Sequence, residues 1–211
     1  MGRGGLRKGR ELAPGTFGLR LSELPRPMTG PALFGNDRPL ELEIGSGTGT
    51  LLVKESLRRP EVNFVGVEYT KRYFRLAADR LRRQQRENAR VVDAEAGELL
   101  GGYIDDESLH GIHIYFPDPW PKRRHHPRRF VQSDRIELLT RKMVPGARLR
   151  IVTDHAQYFS HIEQVIASSR LEPASFEPLT DGDEDVLVGT NFEHKYIEEG
   201  RPFYALAAIR V

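Results

Sequence analysis

Leu40-Glu41-Leu42-Glu43-Ile44-Gly45-Ser46-Gly47-Thr48-Gly49 runs from an apolar segment with strand character straight into three glycines. A strand that ends in a glycine-rich turn and then opens a helix suits cofactor binding, because glycines turn tightly and let the backbone approach a ligand closely. The spacing is G-x-G-x-G, and Thr50 stands where the dinucleotide fingerprint has its third glycine. Glu43, two residues before the turn, would repel a pyrophosphate. It favours a cationic group instead, such as the sulfonium or ammonium of S-adenosylmethionine. Glu68 closes the next apolar segment, roughly 20 residues on, where an acid commonly grips the ribose hydroxyls. It could equally serve as an acceptor for the start of the following helix.

Outward from this turn, short apolar runs alternate with helical patterns. Strands are expected at 40–44, 62–67, 90–92, 111–116 and 148–152, and helices at 49–59, 70–87, 130–143 and 154–169, the third stopped by Pro145-Gly146. In the second helix Tyr73, Phe74, Ala77 and Leu81 share one face and arginines cover the others. Two late strands, 172–178 and 203–211, are separated by an acidic loop. Strand–helix alternation of this kind predicts a doubly wound, mostly parallel α/β sheet. Residues 1–38 are rich in Gly, Pro and Arg without periodicity and read as a basic arm with little structure of its own, leaving 39–211 as a single domain. A third acid is expected near an adenine after the 90–92 strand, and either Asp93 or Glu95 fits.

The run Ile114-Tyr115-Phe116-Pro117-Asp118-Pro119-Trp120-Pro121-Lys122-Arg123-Arg124-His125-His126-Pro127-Arg128-Arg129 closes the fourth strand. Proline fixes φ and lacks an N–H, so Pro117, Pro119, Pro121 and Pro127 should neither extend a strand nor sit inside a helix. A stiff loop at that end of an α/β sheet lies where ligands bind. It would hold Asp118 and Trp120 over a pocket, with Lys122, Arg123, Arg124, Arg128 and Arg129 outside it. A carboxylate, a stacking aromatic and a cationic rim suit chemistry on a nucleic-acid base. The adjacent His125 and His126 point in different directions and lack a metal-binding spacing, so no metal is expected.

At 211 residues, with 38% hydrophobic and 29% charged, the chain fits one sizeable folded domain. It has no cysteine, which excludes disulfides, thiolate metal sites and cysteine catalysis and suits a reducing cytoplasm. The N-terminal stretch has no apolar core of a secretory signal, and no segment is apolar enough to span a bilayer. A net charge of +2 conceals an asymmetry. Eight basic residues stand within 71–90 (Lys71, Arg72, Arg75, Arg80, Arg82, Arg83, Arg86, Arg90), and acids dominate 177–199. Local basic fields suit a polyanionic partner, although an arginine-rich helix can also be only a solvated face.

The pairing of Glu43-Ile44-Gly45-Ser46-Gly47-Thr48-Gly49 with the proline-rich run from Phe116 to Arg129 resembles the bacterial tRNA (guanine-N7-)-methyltransferases, and the resemblance extends from about Pro39 to the C-terminus. It implies a seven-stranded class I methyltransferase sheet with an antiparallel last strand. The implied reaction moves a methyl group from S-adenosyl-L-methionine to N7 of a guanine in the tRNA variable loop. Glu43, Gly45, Gly47, Gly49, Glu68 and Asp118 match positions that hold the methyl donor. The fourth acid falls at Glu95, where the family usually has aspartate. Asp118 is the implied catalytic residue. Lys122, Asp154, Thr190, Asn191, Phe192 and Glu193 match substrate-binding positions, with Asn191 in place of a commonly basic residue. Monomeric and homodimeric assemblies are both compatible with the family.

Guanine N7 carries an in-plane lone pair and no proton, so transfer needs no prior general base. That accounts for the lack of any His–Asp or Lys base arrangement. Competing readings are a nicotinamide-dependent oxidoreductase, a methyltransferase with a small acceptor, and a non-catalytic RNA-binding protein. The missing third glycine and Glu43 oppose the first. The basic run 122–129 opposes the second, and the intact Gly45, Gly47, Gly49 and Glu68 oppose the third.

Overall fold

The computed structural model describes residues 17–179 and 186–211, without the side chains of Asn191 and Phe192. The segment Leu40–Ile44 forms β2, all five residues buried. Its Leu-Glu-Leu-Glu-Ile alternation sends Leu40, Leu42 and Ile44 into the main apolar cluster. Successive strand side chains point to opposite faces, so Glu41 and Glu43 share the other face. There Glu41 is held by Arg59, at 2.6 and 2.8 Å, and by His113 Nε2, at 2.8 Å. Burial pushes the Glu41 carboxyl up, but His113 and Arg59 outweigh it and hold the group well below its ordinary range.

β2 is flanked by β3 (Asn63–Glu68) and β5 (Leu109–Tyr115), both parallel to it. The sheet continues through β4 (Ala89–Asp93) on one side and β6 (Met143–Thr153) on the other, then through β8 (Tyr204–Arg210) and β7 (Leu171–Ala174). β8 is antiparallel to both of its neighbours, as expected of the last strand. Helices α2 (Thr50–Arg58) and α3 (Lys71–Arg83) pack over β3 and β4. Helices α4 (Ala96–Gly102), α5 (Ser133–Lys142) and α6 (Ala156–Ala167) pack together as a second group, α5 on β6 and α6 on β6, β7 and β8. The sheet is the expected doubly wound, mostly parallel α/β architecture.

Several expectations are corrected. The sheet has eight strands, not seven, because β1 (Gly18–Arg20) adds to the β4 edge. This lies within the stretch read as an arm without structure. A Cβ at Gly18 would stand 2.7 Å from Ala78 Cβ and 3.1 Å from the Phe74 ring, so glycine lets this strand lie directly on α3. A short helix α1 (Gly30–Phe34) follows, its N-terminus capped by Thr29. Residues 1–16 of the expected arm lie outside the described residues. Pro145-Gly146 does not stop α5, which ends at Lys142 as Met143 turns extended; both residues lie in β6, where the pairing with β5 shifts register. Of the expected apolar face of α3, Phe74, Ala77 and Leu81 are buried but Tyr73 is 38% exposed. It sits at the edge of the stripe. Finally, the region read as an acidic loop contains helix α7 (Asn191–Glu198); residues 180–185 of it lie outside the described residues.

Candidate functional site

The glycine turn follows β2 with Gly45, Gly47 and Gly49 all at positive φ, 78°, 53° and 72°. A Cβ at Gly45 or Gly47 would meet no atom within 4 Å, so this backbone faces open space. That space is a cavity of about 620 Å³, lined among others by Gly45, Gly47, Glu68, Glu95, Asp118 and Trp120. Gly49 turns the other way: it is buried, and a Cβ there would meet Ala77 Cβ at 2.9 Å. It packs α2 against α3 and does not line the cavity, contrary to the expected cofactor contact.

Glu68 ends β3 and fixes the turn. Its Oε2 accepts from Gly47 N at 2.9 Å and its Oε1 from Thr70 N at 2.7 Å. The helix-entry reading is therefore present in the structure. It does not displace the ligand reading, since a carboxylate has about four lone-pair sites and two are used here. Glu43 lies behind the cavity wall, 5% exposed, and its Oε2 has no hydrogen-bond partner. Burial pushes its carboxyl up to about 8; Ser46 opposes this, and the Glu68 charge adds to it. An unpartnered buried carboxyl behind an open glycine turn fits a cationic ligand, because a positive charge nearby would stabilise its ionised form. Glu95 lines the cavity as the N-cap of α4, accepting from Glu98 N at 3.0 Å. Asp93 does not line it; it faces a neighbouring cavity beside Arg20.

Beyond β5 the chain leaves the sheet at Phe116, at φ 50°. Asp118 is exposed on the cavity wall, and its carboxylate has no hydrogen bond or ion pair among the described residues. Trp120, at φ 43°, has the His125 ring edge-on at 5.7 Å and the Arg128 guanidinium 5.1 Å over its face. Residues Arg123–Arg128 form a 3-10 turn containing Pro127, so that proline does sit inside a helical segment. The i→i+3 turn is short enough to leave its last residues without need of the missing N–H. Among the five cations, Lys122, Arg123 and Arg124 face outward. Arg129 does not: it is 4% exposed, donates Nε to the Pro119 carbonyl at 2.9 Å and lies 4.7 Å over the Tyr158 ring. Sequence charge alone placed it on the rim; packing turns it inward.

The remaining expected substrate residues gather around α7. Asp154 accepts from Arg201 Nη1 at 3.0 Å, and the Arg201 guanidinium stacks 4.5 Å over Tyr196. Tyr196 in turn meets the Phe116 ring edge-on at 5.5 Å, which ties this cluster to the Asp118 loop. Burial raises the Tyr196 phenol, with Asp154 and, more weakly, Asp118 contributing to the rise. Thr190 caps α7, accepting from Glu193 N at 3.2 Å. Glu193 is fully buried and accepts from the backbone N–H groups of Leu187, Val188 and Gly189. Neither side chain is free to read a base as the structure stands. The Asn191 and Phe192 side chains lie outside the described residues. Sequence reasoning missed Tyr69, Thr70, Tyr73 and Phe130 on the cavity wall, and Arg201. The position of Tyr69 directly after Glu68 was a usable signal; nothing in the sequence marked Arg201. Among the described residues no three His, Asp or Glu side chains cluster to hold a metal ion.

A model of the family described as "Putative methyltransferase" matches residues 37–206. A tRNA (guanine-N(7)-)-methyltransferase of Rhodopirellula baltica is 39% identical over 189 residues, covering 86% of this chain and 70% of that protein. One from Alkalilimnicola ehrlichii is 34% identical over 207 residues, 96% of this chain and 85% of that protein. Among solved structures, a SAM-dependent methyltransferase from Aquifex aeolicus superposes with a TM-score of 0.57 at 13% identity, covering 82% of each chain. That likeness shows the class I methyltransferase fold.

Proposed function

Since the chain belongs to the tRNA (guanine-N7-)-methyltransferase family, we propose that the cavity between the glycine turn and the Asp118 loop is where its methyl transfer takes place. The protein transfers a methyl group from S-adenosyl-L-methionine to N7 of guanine in tRNA. The acceptor guanine lies in the variable loop, and the enzyme works in the cytoplasm. No helix among the described residues is long and apolar enough to cross a membrane.

The observation that carries the site reading is the Asp118 carboxylate, without a partner among the described residues, on the wall of one cavity with Gly45, Gly47 and Glu68. When bound, S-adenosylmethionine supplies an electrophilic methyl group on a sulfonium. Gly45 and Gly47 let backbone approach that ligand, and Glu68 offers its remaining lone pairs to the ribose hydroxyls. Glu95 accepts from the adenine amine, a role supported by its place on the cavity wall, where Asp93 has none. Glu43, once ionised, balances the donor's positive charge from behind the turn.

Asp118 has two tasks. It faces the donor and also accepts from the donors on the Watson–Crick edge of the guanine, which aligns N7. As positive charge passes to the purine, a fixed carboxylate nearby stabilises it, and alignment supplies much of the remaining acceleration. Lys122, Arg123 and Arg124 hold tRNA phosphates, while Trp120, braced by His125 and Arg128, shapes the cavity mouth. Asp154 and the start of α7 form the far wall, reaching the Asp118 loop through Tyr196 and Phe116. In this reading Thr190 and Glu193 hold that wall in shape.

An Asp118→Ala variant tests the assignment. It should fold and bind donor, measured by equilibrium dialysis, yet give no methyl transfer in a single-turnover assay. Near-normal transfer would overturn the role given to Asp118.

A further inference from the structure

The basic residues of 71–90 differ sharply in what they touch. At the far end of α3, Arg82 and Arg83 both reach Asp79, at 2.9 and 3.0 Å. Arg80 donates to Thr50 Oγ1 at 2.6 Å, and Arg90 is buried against the Phe17 and Phe34 rings. Lys71, Arg72 and Arg75, at the start of the helix, are exposed and make no side-chain hydrogen bond or ion pair among the described residues. Cations there oppose the helix macrodipole, which favours acids at an N-terminus. The first turn holds no acid, and Thr70 makes no side-chain cap bond. The fold gains nothing from this arrangement.

Two aromatic rings accompany these cations. Tyr69 is 75% exposed and Tyr73 38%, two of only four large hydrophobic side chains so exposed among the described residues. Both line the cavity. Because β2 lies between β3 and β5 in the sheet, the stretch 69–75 and the Asp118–Trp120 loop flank the glycine turn from opposite sides.

We infer that residues 69–75 form a second RNA-binding lip: Lys71, Arg72 and Arg75 hold phosphates of the strand that delivers the guanine, and Tyr73 stacks on a neighbouring base. This rests on the tRNA methyltransferase reading above. The chemistry matches a single-stranded segment, since Lys and Arg bind the backbone through counterion release and an exposed ring stacks on any base. With Lys122, Arg123 and Arg124 on the other side, the cavity mouth is then bracketed by two phosphate-binding rims. A base swung into the cavity would have its flanking nucleotides held on both.

The test uses the full chain carrying Lys71→Gln, Arg72→Gln and Arg75→Gln together. Binding of unmodified tRNA is followed by fluorescence anisotropy over a range of salt, and donor binding by equilibrium dialysis. The lip predicts tRNA binding at least about tenfold weaker and a log–log salt slope shallower by about 2 to 3, roughly 0.9 for each phosphate released, with donor affinity unchanged. Tyr73→Ala should weaken tRNA binding by about 5- to 100-fold and Tyr73→Phe should retain it, as expected for a stacking ring. A triple variant that binds tRNA with wild-type affinity and slope would overturn the lip. So would a parallel loss of donor binding, because the residues would then be serving the fold. The two readings fail separately: the product made by the wild-type chain tests the enzyme, and the salt slope tests the lip.

Discussion

Arg129 donates through Nε to the carbonyl of Pro119, ten residues earlier, at 2.9 Å, and so clamps the loop that carries Asp118 and Trp120 from beneath. The guanidinium is buried and packed over Tyr158, whose hydroxyl accepts from Val131 N at 3.0 Å. The loop is therefore anchored to α6 through a cation that never reaches the solvent. Arg129→Met leaves the Pro119 carbonyl without that donor. It should lower kcat by about 10²-fold, because a small misplacement of an aligning group costs that much, and should lower stability by about 1–3 kcal/mol. Donor affinity should stay near wild type, and Arg129→Lys should recover part of kcat. Steady-state kinetics with thermal melts check both.

Outward-facing Lys122, Arg123 and Arg124 make a contrasting prediction. Replacing each by Gln should reduce the salt slope of tRNA binding by about 1 and weaken binding at low salt. Arg129→Met should leave the slope alone. Titrations of all four variants between about 50 and 200 mM salt would show whether the division between clamp and phosphate grip is where the burial puts it.

Glu43 gives a pH dependence with a definite sign. Burial is the main reason its carboxyl lies near 8 rather than 4.5, with Ser46 opposing and Glu68 adding. The folded protein then holds a proton that the unfolded chain has released, so stability falls as pH rises from about 4.5 to about 8. The slope contributed is at most about 1.4 kcal/mol per pH unit. Glu43→Gln should remove it, as denaturant melts at several pH values would show. A cationic donor favours the ionised form, so donor binding should release a proton and tighten as pH rises toward 8. Calorimetry in buffers of different ionisation enthalpy measures that proton directly.

Glu193 is expected to act through the fold. It accepts three backbone N–H groups from residues 187–189, and Glu193→Ala would strand them. The expected cost is at least about 2 kcal/mol, with activity lost in proportion to folded protein. A stable, inactive Glu193→Ala protein would show instead that its carboxylate touches the substrate.

Legibility in the sequence followed the local physics. The strand 40–44 was readable to the residue because alternation and the glycines after it admit little else. Asp118 was readable because prolines on both sides force it out of the sheet. β1 was not, since Gly18 fits only against the Ala78 and Phe74 side chains of a helix that lies far along the chain. The inward turn of Arg129 and the burial of Glu193 were hidden for a related reason. A charged residue reads as solvent-facing until the carbonyl or the backbone N–H groups that satisfy it are in place.

The central claim is that this cavity methylates guanine N7 in tRNA. The direct measurement incubates the wild-type chain with isotopically labelled S-adenosylmethionine and unmodified tRNA, digests the RNA and identifies the labelled nucleoside by mass spectrometry. The account predicts 7-methylguanosine from a single position in the variable loop. A different methylated nucleoside, or no label in the RNA despite donor binding, would contradict it.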